Sequence, residues 1–175
     1  MELSTARSID MNYIQDLYME SFPKEERKPF SVIERKAAMG TMEILLLTEG
    51  HKRVGFAITA MRDDLVLLDY FVIDPQYREK GYGSEALELL RELYSGNQFY
   101  LEIERPDEEA ENQEQRIRRK RFYLRNGMLE TGIRIRMFGV PMELLASQPG
   151  LSFAQCERLY REIIGPMYHK VIYEE

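Results

Sequence analysis

Residues 74–84 read Asp-Pro-Gln-Tyr-Arg-Glu-Lys-Gly-Tyr-Gly-Ser and follow the apolar run 65–73. Arg78, Gly81 and Gly83 are spaced Arg-x-x-Gly-x-Gly and lead into an amphipathic segment. A glycine-rich turn between a strand and a helix can close its backbone around an anion. The first N–H groups of the helix have no internal partners, and the aligned peptide dipoles make that end positive. Gly81 and Gly83 lack a Cβ, so an anion can approach the main chain closely. The chemistry this turn suits is binding of a phosphate or pyrophosphate.

The elements that must present this turn can be read from periodicity. Residues 1–8 suggest a short strand. Asp10 is placed to cap a helix to about Phe22, with Ile14, Leu17, Tyr18 and Phe22 on one face, and Pro23 stops it. A second helix is expected over 31–39, ended by Gly40. Strands follow at 42–48, 53–60 and 65–73; the last is nearly all apolar, as in a strand covered on both faces. The helix opened by the glycine turn runs from 81 to about 94 and buries Ala86, Leu87, Leu90 and Leu93. A strand at 98–104 comes next. Residues 105–114 are acidic and read as a loop or helix start, and the helix then continues to Asn126 with Gly127 as its C-cap. Strands at 129–138 and 141–146 and a helix at 152–164 complete the order; 167–175 has no assignment. The fold class expected is α/β, a mixed central sheet flanked by helices with a C-terminal helical extension.

Bulk properties narrow the function. An apolar share of 44% and a charged share of 31% suit a globular chain with a real core. A net charge of −6 argues against nucleic acid as the main partner. The basic run Arg116-Ile117-Arg118-Arg119-Lys120-Arg121 reads as a solvated helix face with i,i+4 pairs such as Glu114 with Arg118. Cys156 is the single cysteine, flanked by apolar residues, and reads as a buried structural thiol in a reducing compartment. With only His51 and His169 besides, no zinc spacing exists. Residues 1–8 hold no apolar signal core, and the aliphatic run 44–47 is too short for a bilayer. The expectation is a cytoplasmic protein without membrane, metal or nucleic acid.

The turn 74–84, together with Phe122-Tyr123-Leu124-Arg125-Asn126-Gly127-Met128, resembles the GNAT N-acetyltransferase superfamily over roughly residues 10–146. The resemblance implies transfer of an acetyl group from acetyl-CoA to a primary amine, by direct attack in a ternary complex. It implies that the backbone of Arg78, Glu79, Lys80, Gly81, Tyr82, Gly83 and Ser84 wraps the pyrophosphate of the cofactor. Phe71, Val72 and Ile73 would pair with the pantetheine arm, and an N–H there would face the thioester oxygen. Tyr123 matches the general acid of the family; a free phenol has a pKa of about 10 and is protonated at neutral pH.

The base is open between two carboxylates. Many relatives carry a Glu eleven residues before the motif Arg, where this chain has Leu67; Asp69, two residues on, shares that sheet face. Leu101-Glu102-Ile103 resembles the strand context used by relatives that acetylate protein N-termini. Glu102 and Glu104 share one face, and the pair either draws in a cationic amine or meets Arg116 and Arg119. An acidic insertion at 106–115 displaces any cofactor-contacting Asn, leaving Asn112 out of register, and could line the acceptor cleft. The acceptor is a small-molecule amine or a protein amine. Domain bounds are 1–150 for the catalytic domain and 151–175 for an extension that packs on it or forms a homodimer. The alternative function is a catalytically silent acyl-CoA-binding regulatory module.

Overall fold

The computed structural model describes residues 1–106 and 110–175. It holds eight strands in one mixed sheet and five α-helices. The strands are β1 (Glu2–Thr5), β2 (Met42–Glu49), β3 (Lys52–Arg62), β4 (Leu65–Ile73), β5 (Gln98–Glu104), β6 (Leu129–Met137), β7 (Val140–Ala146) and β8 (Ile172–Glu174). The helices are α1 (Met11–Ser21), α2 (Phe30–Ala38), α3 (Tyr82–Leu93), α4 (Gln113–Arg125) and α5 (Phe153–Ile164). Their order across the sheet is β1-β2-β3-β4-β5-β7-β6-β8. β4 and β5 run parallel, pairing Leu65–Leu67 with Gln98–Tyr100. The α/β class and the mixed sheet expected from the sequence are what the chain adopts. The chain divides into two compact units: residues 1–60 with 68–93, and 61–67 with 94–175.

In the first unit, β1 and β3 flank β2 antiparallel, and α1 buries Ile14, Leu17 and Tyr18. Tyr18 is the hub of an aromatic group, with Tyr70 edge-on at 4.8 Å and Phe30 at 5.5 Å. Asp10 occupies the N-cap position of α1 without capping it. Its carboxylate turns back instead, accepting from the Arg7 amide and the Arg7 and Arg53 guanidiniums. Burial opposes its charge, but these donors hold its pKa below the ordinary carboxylate value. Short-range pattern could not show this, because Arg53 lies on β3. Leu93, expected in the core, is 53% exposed at the last residue of α3.

In the second unit, β7 lies between β5 and β6, antiparallel to both. The tail without an assignment forms β8, which pairs antiparallel with Arg136 and its neighbours on β6. Three residues carry no readable period; the strand exists because β6 offers it an edge. α5 begins at a capping box between Ser152 and Gln155 and buries Cys156, Leu159, Tyr160 and Ile163. The extension 151–175 is therefore part of this unit. Leu67, where many relatives have a carboxylate, is a core residue at 1% exposure.

Candidate active site

The donor half lies in the first unit. Asp74 opens the turn after β4, accepting from the Gln76 amide at 3.1 Å and from the Tyr13 hydroxyl at 3.2 Å. Residues 75–77 make a 3-10 turn, and the chain then passes through two left-handed positions, Glu79 (φ 64°) and Gly81 (φ 84°), before α3. A non-glycine residue in that region is strained, and such strain collects at ligand-binding turns. The amides of Arg78 and Ser84 are already used, donating to Pro75 O and Gly81 O. Those from Glu79 to Gly83 have no acceptor among the described residues. Of the seven residues expected to wrap a pyrophosphate, 79–83 are those whose amides are not already engaged. They stand at the N-terminus of a 12-residue helix, where the dipole favours an anion. Nothing lies within 4 Å of where a Gly81 Cβ would be, so the glycine serves the backbone angle.

β4 leads into this turn with its backbone already oriented. The Asp74 amide donates to Val54 O on β3 at 2.9 Å. Peptide groups two residues apart on a strand point to the same neighbour, so those of Val72 also face β3. Their closeness is set by Gly55: a Cβ there would stand 2.2 Å from Val72 O. The peptides of Phe71 and Ile73 consequently face away from β3, and the carbonyl of Ile73 accepts from Arg78 Nε at 3.2 Å. Of the three residues expected to meet the pantetheine arm, Phe71 and Ile73 turn their peptides away from β3 and Val72 turns its toward β3. The side chains of Phe71 and Ile73, with Tyr77 and Tyr82, pack against Leu47, Val54 and Ala86.

Asp69 lies in this unit too, held by Lys28 Nζ at 2.7 Å to each carboxylate oxygen. Lys28 also stands 5.1 Å from the centre of the Tyr70 ring. An amine approaching Asp69 would have to displace the Lys28 ammonium from both oxygens. Lys28 sits in the charged loop 24–29, and no local spacing linked it to Asp69.

The acid candidate Tyr123 and the other base candidate, Glu102, lie in the second unit. Glu104 accepts from Arg116 Nη2 at 2.9 Å and Asn112 Nδ2 at 3.3 Å, with Arg119 at 3.7 Å. Of the two fates open to the carboxylate pair, Glu104 takes the ion-pair one. Asn112, out of register as a cofactor ligand, braces Arg116, whose Nε donates to Asn112 Oδ1 at 2.8 Å. Residues 107–109 of the acidic insertion lie outside the described residues. Lys120 bridges Glu130 and Glu143 on the strands. The basic helix thus spends its charge on strand carboxylates, and Glu114 and Arg118 form no ion pair among the described residues.

Glu102 differs from Glu104. Its Oε1 accepts a hydrogen bond from the hydroxyl of Tyr160 on α5. Tyr160 is completely buried, and burial, reinforced by Glu102, holds its phenol far above the ordinary value. Tyr123 is half-buried on α4, with the Phe122 ring edge-on at 5.2 Å. Its hydroxyl has no hydrogen bond among the described residues. Burial pushes its pKa up to about 12 against a lowering by Arg119. Its carbonyl accepts the amides of Asn126 and Met128, so the turn at Gly127 (φ 85°) closes directly on Tyr123. Among the described residues no cluster of His, Cys, Asp or Glu could hold a metal, and no helix is long and apolar enough to cross a membrane.

Sequence reasoning missed Gly55, Lys28 and Tyr160. A lone glycine inside a strand pattern was a signal for close backbone approach. For the other two the partner is distant in sequence, and nothing local announced it.

Comparison with known proteins agrees with this fold. A protein described as a GNAT-family acetyltransferase from Bacteroides thetaiotaomicron superposes with a TM-score of 0.79 at 23% identity, covering 94% of this chain and 99% of its own. The ribosomal-protein-S18-alanine N-acetyltransferase from Escherichia coli gives 0.60 at 20% identity, over 86% of this chain and 95% of its own. An aminoglycoside 6'-N-acetyltransferase complexed with coenzyme A gives 0.62 at 15% identity, over 87% and 100%. These likenesses establish the fold. No curated protein sequence matches the chain. The sequence profile of the acetyltransferase (GNAT) family matches residues 11–128, and the chain is a member of that family of acyl-transferring enzymes.

Proposed function

We propose that this protein is an acetyl-CoA-dependent N-acetyltransferase that moves the acetyl group to a primary amine by direct attack within a ternary complex. The observation that carries the reading is the row of unengaged amides from Glu79 to Gly83 at the start of α3, behind two left-handed positions. Such a row suits the two phosphates of coenzyme A. Acetyl-CoA would supply the activated acyl group as a thioester. An N–H of Phe71 or Ile73 would stabilise the oxyanion; removing one such donor in other acyl-transfer enzymes costs roughly 3–4 kcal/mol.

In this reading Glu102 is the base. It takes a proton from the acceptor ammonium, leaving a lone pair to attack the thioester carbon. As the C–S bond breaks, the attacking nitrogen sheds its second proton to solvent, and Tyr123 protonates the departing thiolate and regains a proton from solvent. A phenol held at about 12 stays protonated over the working range, as a proton donor to thiolate must. The Lys28 ion pair makes Asp69 the weaker candidate. The acceptor is a small-molecule or a protein amine; among the structural relatives one is a ribosomal-protein-alanine N-acetyltransferase and another an aminoglycoside N-acetyltransferase.

The test has two arms. Calorimetric titration with coenzyme A should give saturable heat, and absence of heat refutes the donor site. Thiol release with acetyl-CoA and a panel of peptide N-termini, polyamines and aminoglycosides should show turnover on at least one. The second reading, an acyl-CoA-binding module without catalysis, draws on Leu67 in the core and on the engagement of Asp69. Tight acetyl-CoA binding with no turnover on any amine would select it.

A further inference from the structure

The C-terminal helix contributes one polar contact to the strand that carries the base candidate. Tyr160 has its ring wholly buried, yet its hydroxyl donates to Glu102 Oε1. A buried tyrosine needs a partner for its hydroxyl, but a backbone carbonyl would serve as well as a carboxylate. The helix is anchored so that this hydroxyl has little freedom. It starts at a capping box, buries Cys156, Leu159 and Ile163 beside Tyr160, and packs Phe153 against the Tyr160 ring at 6.4 Å. Tyr100, on the same strand two residues before Glu102, lies beside Tyr160 and Cys156 and is itself fully buried. The neighbour Glu104 is engaged differently: its donors are Arg116 and Asn112, with the Arg119 guanidinium at 3.7 Å.

These contrasts have a chemical meaning. The donors on Glu104 would have to be displaced by an incoming amine. The Tyr160 hydroxyl engages Glu102 Oε1 and so orients that carboxylate. Burial keeps the Tyr160 phenol protonated, so its O–H can donate to the carboxylate. We propose that Tyr160 is a positioning residue for acetyl transfer, its hydroxyl holding the Glu102 carboxylate in the rotamer that receives the proton of the acceptor amine. The inference rests on the assignment of Glu102 as base made above. It gives α5 a role in turnover as well as in packing.

The test compares Tyr160→Phe, Glu102→Gln and the double variant on the amine identified by the panel. Phe keeps the ring and removes only the hydroxyl oxygen. Tyr160→Phe should lower kcat by about 10- to 100-fold, the worth of a hydrogen bond to a charged group. Its KM for acetyl-CoA should stay within about 2-fold, because uniform cofactor binding is untouched. In the Glu102→Gln background the same change should cost less than about 2-fold, since the two residues act as one unit. Cys156→Ala is the packing control: it loosens α5 without touching the hydroxyl, and should lower the melting temperature while leaving kcat per folded molecule intact. Full kcat in Tyr160→Phe, or a loss that simply adds to that of Glu102→Gln, overturns the proposal while the base assignment stands. Full kcat in Glu102→Gln overturns the base assignment, and the positioning role with it.

Discussion

Gly55→Ala is the most searching test of how the donor half is built. The added Cβ would stand 2.2 Å from Val72 O, 3.1 Å from Ile73 Cα and 3.2 Å from Val72 C. All three obstacles are backbone, so no side chain can swing aside. An ordinary carbon-to-oxygen contact between strands is about 3.3–3.6 Å, so β3 and β4 must separate locally by ~1 Å. Asp74 N to Val54 O, at 2.9 Å, resists that separation next to the turn. Overpacking of this kind costs about 1–3 kcal/mol. At this chain length that corresponds to a melting temperature lower by roughly 2–12 °C. The displaced atoms belong to Val72 and Ile73, so the proposed oxyanion donor and the start of the turn shift with them. A misplacement of ~1 Å in a reacting geometry can cost on the order of 100-fold in rate. The assay pairs thermal melting with kcat/KM for acetyl-CoA, and Gly96→Ala serves as control because a Cβ at Gly96 meets nothing within 4 Å. If Gly55→Ala melts and turns over like the control, β3 does not hold β4 by close approach, and the argument fails.

Other outcomes can be stated briefly. Gly81→Ala meets open space, so its penalty is the left-handed backbone angle alone, about 1–2 kcal/mol; coenzyme A affinity measured by calorimetry should fall, and unchanged affinity would count against the nest. Tyr123→Phe should reduce turnover while coenzyme A affinity stays near wild type; an unchanged rate removes Tyr123 from the mechanism. Burial pushes the Cys156 thiol up to about 12 from 9.0, so the folded state prefers the protonated thiol. The stability this provides is complete below pH about 9 and is lost as pH rises toward about 12. Alkaline melts across that window should flatten in Cys156→Ala, and a slope identical to wild type would refute the assignment. For the same reason the native protein should not react with a disulfide thiol reagent at neutral pH, which a labelling time course with and without denaturant would check.

Elements with a long, clean period were legible from the chain itself. β4 and β5 fall at 65–73 and 98–104 as read, because unbroken apolar or alternating runs between turn residues leave little choice. The glycine turn was legible for a related reason: an Arg-x-x-Gly-x-Gly spacing between a buried strand and an amphipathic helix constrains backbone angles, and those angles are local. What local information could not supply was the partner of each charged side chain. Asp69, Glu102 and Glu104 look alike in sequence, three carboxylates on apolar strands. The tertiary structure gives Lys28 to the first, Tyr160 to the second, and two arginines to the third. Those partners arrive from 41, 58 and 12 residues away, the nearest arginine in the last case. Protonation depends on the nearest charges and donors in space. Backbone conformation was therefore largely a property of the sequence, while the partner each carboxylate meets was decided only when distant segments packed together.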